Sequence, residues 1–332
     1  MPSTAATTHP TRRDHGGNLA EAVARFGGRI EDWLDLSTGI NPHAYPLGPI
    51  PPRAFQALPD AGRLADLCAV ARKTYGATGG DIVAAPGAQA LIELLPAYLP
   101  RLPVSIAAPT YNEHAAAFHA HGFEVAEQVT PTGPIRVIVN PNNPDGRVWS
   151  RDEVQGWLDE GVFVIVDESF ADPTPETSLA SLSGHPRLII LRSFGKFFGL
   201  AGLRLGFALG PLGVIEPLRR ALGLWAVSGP AIEAGIQGLS DTDWQADMRG
   251  QLAGARDTLS HQLRSIGCEI IGQTHLFVTI RHPQAAALHA HLAQHQIWTR
   301  AFPYAKDWLR FGLPGAGAKR LFSKLQSYSP AK

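Results

Sequence analysis

The sequence predicts an α/β fold built on a mostly parallel sheet with helices on both faces, and three observations carry the prediction. Between about residue 64 and residue 207, short β-branched and aliphatic runs alternate with amphipathic segments of helical period. Runs such as 82–85 and 162–166 are apolar throughout rather than at every second residue, the pattern of strands buried on both faces. Polar and turn-forming residues follow these runs directly, at the carboxyl ends of strands, where ligands sit in such sheets.

In chain order, residues 1–13 read as disordered, and a turn at 14–18 leads into a helix at 19–26. A short strand at 33–37 and a turn at 38–42 follow, and the proline-rich stretch 42–59 reads as a connector without regular structure. The alternating region then predicts helix 64–75, strand 82–85, helix 88–99, strand 104–107 and helix 113–121. Strand 135–140, helix 151–159, strand 162–167 and a strand before Lys196 complete it. The expected division is an N-terminal arm and part of a small domain at 1–45, a large domain at 46–215 and a C-terminal small domain at 216–332.

Composition narrows the function. With 45% hydrophobic residues the chain of 332 can bury a large core. Lys plus Arg and Asp plus Glu number 29 each, so no net field recruits nucleic acid or an anionic membrane, and an anion must be bound by local clusters. A small-molecule partner is expected. Cys68 and Cys268 stand apart without a C-x-x-C spacing, which suits buried core positions in a reducing compartment and makes the cytoplasm the expected location. No stretch approaches the roughly 18 apolar residues of a membrane span, no H-E-x-x-H pair supports a metal, and no G-x-G-x-x-G follows the first strand to support a dinucleotide dehydrogenase.

The chemistry concentrates around residues 188–207. Lys196 lies among Phe194, Phe197 and Phe198 and three glycines, a setting that strips water from the ammonium, lowers its pKa and favours the neutral amine as a nucleophile towards an aldehyde. Ser193 and Arg204 flank it and could converge on a phosphate. After strand 82–85, the turn Gly87, Ala88, Gln89 opens a helix whose free N–H groups suit a phosphate. After strand 104–107, Tyr111 could stack on a flat ring. After the run 135–139, the segment 140–146 places Asn143 between two prolines, and after the run 162–166 stands Asp167, a carboxylate that needs a partner such as a protonated pyridine nitrogen. The turn His15, Gly16, Gly17, Asn18 before the first helix is a candidate anion site with free backbone N–H groups.

The ordered set N-P-N-N-P, V-D-E-S-F and S-F-G-K with Arg204 resembles the fold-type I pyridoxal-phosphate (PLP) enzymes, the aspartate-aminotransferase superfamily, over roughly residues 30–315. That resemblance implies a large domain with a mostly parallel seven-stranded sheet between helices, a smaller α+β domain, PLP as cofactor and a homodimer. It implies that Lys196 forms the Schiff base, Asp167 pairs with the pyridine nitrogen, Asn143 bonds the ring hydroxyl and Tyr111 stacks on the ring. Gly87, Ala88, Gln89, Ser193 and Arg204 would hold the cofactor phosphate. One position departs, because Phe170 stands where many aminotransferases have a tyrosine bonded to the ring hydroxyl. Within the superfamily the sequence resembles most closely the L-threonine O-3-phosphate decarboxylases of cobalamin biosynthesis, through His15 to Asn18, the D-L-S-T-G-I-N-P segment containing Asn41, and the arginines Arg300 and Arg310. By that resemblance Arg310 orients the substrate carboxylate, Arg300 with the 15–18 turn meets its phosphate, and Asn41 and Asn143 also belong to the substrate site. A histidinol-phosphate-type aminotransferase is the alternative, and a catalytically idle PLP-fold module is disfavoured by retention of Lys196, Asp167 and Asn143 together.

Overall fold

The computed structural model describes residues 15–328, so the disorder expected for 1–13 lies outside the described residues. Its first strand, β1 (Leu34–Asp35), is shorter than the five residues expected. The large sheet contains β2 (Asp81–Ala85), β3 (Val104–Ala107), β4 (Val125–Gln128), β5 (Ile135–Val139), β6 (Phe163–Asp167), β7 (Leu188–Ser193) and β8 (Gly206–Gly210), in the spatial order β2-β8-β7-β6-β5-β3-β4. Strands β3 to β7 pair in parallel, and β8 runs antiparallel between β2 and β7.

The sequence reading missed two of these strands. β4 lies at the sheet edge with its middle residues exposed, so it lacks a continuous apolar run. β8 begins and ends with glycine, residues usually depleted in strands. Here the small residue is required, because a Cβ on Gly206 would collide with the backbone of Gly87 and Ala88.

Local signals account for the helix limits. A capping box of Ser150 and Glu153 starts Arg151–Asp159, and Asp60 caps Ala61–Thr74. The helix expected over 88–99 is α-helical at Ala88–Leu94 and tightens to a 3-10 turn at Leu95–Tyr98, where Pro96 lacks a backbone N–H. The proline-rich connector contains one short helix, Arg53–Gln56.

The C-terminal part forms an antiparallel sheet from β9 (Glu269–Thr274), β10 (Phe277–Arg281), β12 (Arg300–Phe302) and β13 (Ala305–Gly312), in the order β12-β13-β10-β9. Between β10 and β12, the short strand β11 (Ile297–Trp298) pairs in parallel with β1, which ties the segment after the N-terminal arm to this part of the chain. One apolar core runs from the large sheet into the small one, and Phe170 meets Phe277 edge to face at 5.2 Å across that junction. Among the described residues no helix is long and apolar enough to cross a membrane.

Under the large sheet, Arg192 is buried with Glu168 and Asp172 on its two terminal nitrogens, and its guanidinium lies 4.1 Å from the Tyr75 ring centroid. Removing the cation would leave two acids facing each other out of water. We expect Arg192→Met to lower unfolding stability by about 3–5 kcal/mol, measured by urea denaturation, because one partner of a buried charge network is lost.

Candidate active site

The carboxyl ends of β3, β5, β6 and β7 converge on a cleft of about 380 Å³, and residues of the small sheet and of the N-terminal arm close it. Lys196 sits on the one-turn helix Phe194–Phe197 directly after β7. That turn can form because Gly195 lies against Ala201, where a Cβ would come within 2.6 Å of the Ala201 Cα. The Lys196 Nζ stands 5.5 Å from the Phe170 ring centroid. Removal from water and then the Arg310 guanidinium push its ammonium pKa down to about 8, against the opposing pull of Asp167.

At the end of β6, Asp167 is buried but already partnered. Its Oδ2 accepts from His114 Nε2 at 3.0 Å, and its Oδ1 accepts from the Ser169 N–H at 2.9 Å and the Ser169 hydroxyl at 2.5 Å. Burial alone would push this carboxyl up, yet the His114 and Ser169 bonds outweigh it and hold the group below the ordinary aspartate range. Part of the partnership that the sequence demands of Asp167 is thus met by the protein itself, and it enters the cleft as a stabilised anion.

One wall carries the candidate phosphate cradle. Gly87 has φ 86°, and a Cβ there would collide with the Arg204 guanidinium, so glycine lets the cation lie over the start of Ala88–Leu94. Ala88, Gln89, Ser193 and Arg204 line the cleft beside it. Tyr111 also lines the cleft, and its hydroxyl donates to Gln89 Oε1 at 3.0 Å.

The opposite wall carries Arg310, buried on β13. Its Nη2 donates to the Ser37 carbonyl at 2.6 Å, its Nη1 donates to Asn143 Oδ1, and its buried Nε has no hydrogen-bond partner among the described residues. Burial and then the nearby Arg300 push its pKa down to about 10. His15, Gly16, Arg300, Phe302 and Tyr304 complete the rim.

Three predicted residues stand elsewhere. Asn41 does not line the cleft: its amide donates to the Phe197 carbonyl at 2.8 Å and its Oδ1 accepts from the His43 N–H, so it braces the Lys196 turn from behind. The Gly17 N–H is already spent on Ser37 Oγ at 2.7 Å, which corrects the expectation of a free donor there. Asn18 caps Leu19–Phe26 by accepting from the Glu21 N–H.

The family described as aminotransferase class I and II matches residues 127–321. The threonine-phosphate decarboxylase of Sinorhizobium sp is 42% identical over 94% of this chain and 97% of its own length. That of Pseudomonas aeruginosa is 41% identical over 91% of this chain and 93% of its own. The chain belongs to the class I and II aminotransferase family. The histidinol-phosphate aminotransferase structure from Clostridium acetobutylicum has the same fold, with a TM-score of 0.78 at 21% identity, over 88% of this chain and 98% of that one.

The cleft of this class I and II chain suits PLP on its own observations. A low-pKa lysine, a buried stabilised carboxylate, an arginine laid over a glycine turn and an aromatic wall match an aldehyde, a pyridinium, a phosphate and a flat ring. Sequence reasoning missed His114 and Ser169. Their signals were present: a serine two residues after a strand-end aspartate, and a histidine three residues after Tyr111 near the start of an alanine-rich helix. Neither spacing says which side chain it will meet.

The lysine pKa has a kinetic consequence. Only neutral amine attacks an aldehyde, so between pH 7 and pH 9 the rate of PLP capture by the cofactor-free protein should rise roughly tenfold and then level off, whereas an ordinary lysine near 10.4 would still be accelerating. Stopped-flow absorbance with borohydride trapping reads this directly.

Proposed function

We propose that this chain decarboxylates L-threonine O-3-phosphate with PLP, giving carbon dioxide and (R)-1-aminopropan-2-yl phosphate for cobalamin biosynthesis. The observation that carries the reading is the pairing of Arg300 and Arg310 as direct cross-strand partners on β12 and β13. Like charges directly opposite each other on a sheet are unfavourable. A substrate with two anionic ends relieves that repulsion, and the chain has no net charge to attract anions by other means.

PLP supplies the electron sink for the pair released when a bond at the substrate Cα breaks. The protein's part is placement. Arg310, fixed by Ser37 and Asn143, takes the substrate carboxylate. Arg300 and the His15–Gly16 turn take the phosphate, so both ends are held and rotation about Cα is set by the protein. Phe170, Phe302 and Pro303 exclude water around the departing carboxylate. Lys196 Nζ, with a pKa about 8, can carry a proton at neutral pH and return it to Cα.

In the same reading Lys196, Asp167, Asn143, Tyr111, Ser193, Arg204 and the 87–89 turn hold the cofactor. The enzyme works in the cytoplasm as a homodimer, and the exposed Phe55, Leu58, Leu224 and Trp225 offer apolar surface to a second copy.

The purified protein with PLP should release carbon dioxide from threonine phosphate without any oxo-acid acceptor, measured by gas trapping and product mass. Strict dependence on an oxo acid would instead identify transamination. Arg300→Ala should lower kcat/KM for threonine phosphate about ten- to a hundredfold more than for unphosphorylated threonine, since charge-assisted phosphate bonds are worth roughly 1.5–3 kcal/mol each. Arg310→Ala should depress both substrates alike.

A further inference from the structure

Glu113 opens the helix Glu113–Ala120, where the positive helix end favours an anion, and it is buried below the cleft rim. Buried carboxylates are uncommon unless paired. The two oxygens of Glu113 face two different parts of the site. Oε1 lies 2.8 Å from His15 Nε2, joining a buried acid to a half-exposed ring on the N-terminal arm. Oε2 accepts from Gln89 Nε2 at 3.1 Å, and the Oε1 of Gln89 accepts from the Tyr111 hydroxyl at 3.0 Å. One carboxylate thus connects the arm, the turn that opens Ala88–Leu94 and the aromatic wall of the cleft.

The arm has a second tie. The Gly17 N–H bonds Ser37 Oγ, and Gly16 is pressed against the Ser37 carbonyl where a Cβ would not fit. That contact sets where the backbone lies, and Glu113 sets the imidazole. The buried carboxylate stands within ion-pair range of Nε2 and draws the ring to its side of the cleft rim.

We infer that Glu113 is a positioning residue, anchoring His15 over the phosphate end of the cleft and holding Tyr111 to the same anchor through Gln89. The inference rests on the proposed role of His15 as a neighbour of the substrate phosphate. Glu113 does not itself meet the substrate, since a carboxylate beside a phosphate would repel it. It acts through the imidazole.

A double-mutant cycle tests this with the PLP-loaded enzyme, using threonine phosphate and unphosphorylated threonine. Glu113→Gln keeps the shape and removes the charge. It should raise KM for threonine phosphate about tenfold with kcat and the KM for threonine held within about twofold, the scale of one charge-assisted bond. His15→Ala should do the same, and the double variant should be no worse than either single one. His15→Gln, which retains a donor for Glu113, should recover most of the loss seen in His15→Ala. Multiplicative effects in the double variant, equal losses on both substrates, or no recovery in His15→Gln would each overturn the role of Glu113 while leaving His15 at the phosphate. An unchanged KM in His15→Ala would overturn the placing of His15 and this inference with it. Should Glu113→Gln fail to fold, the comparison of His15→Gln with His15→Ala still decides the matter.

Discussion

The Arg310 guanidinium holds the site together. It is buried on β13, yet its hydrogen bonds go to Ser37 just after β1 and to Asn143 just after β5. A guanidinium cannot lose its charge at neutral pH, so burying it obliges the surrounding chain to supply acceptors. Three distant segments therefore meet at one cation, and the cleft exists where they meet. Among the described residues its Nε has no hydrogen-bond partner, and Arg300 stands opposite it on the neighbouring strand.

The floor of the cleft obeys the opposite electrostatic logic. Lys196 is held at a low pKa by burial and by neighbouring cations, and Asp167 is held ionised by His114 and Ser169. An amine that releases its proton more readily than an ordinary lysine and a carboxylate inclined to stay charged thus sit in the same low-dielectric pocket. Their environments push the two pKa values in the directions that Schiff-base chemistry needs. Phe170 adds no hydroxyl to this floor. It packs on Phe277 and lies beneath the lysine, so it serves the junction between the two sheets.

Much of the site was legible because strand ends concentrate polar residues. Asp167 follows five apolar residues, Lys196 follows a buried strand in a glycine-rich turn, and Gly87 precedes a helix. Each is a local contrast between an apolar run and a polar exception. Asn41 misled for the same reason: it sits in such a turn, but its amide is consumed by the backbone of the Lys196 helix. A sequence shows that an amide is present and not which way it is spent.

The sequence by itself determined the order of the central strands and helices and the positions that carry charge into the sheet, because periodicity and strand-end polarity are local properties. The antiparallel insertion of β8 between β2 and β7, the edge strand β4 and the pairing of β1 with β11 were decided by tertiary structure. So were the partnerships of Asp167 with His114, of Glu113 with His15 and of Arg300 with Arg310. These pairs are separated along the chain by up to a hundred residues or so. They arise where separate segments meet, a proximity that exists after the chain has closed and leaves no period or spacing to read beforehand.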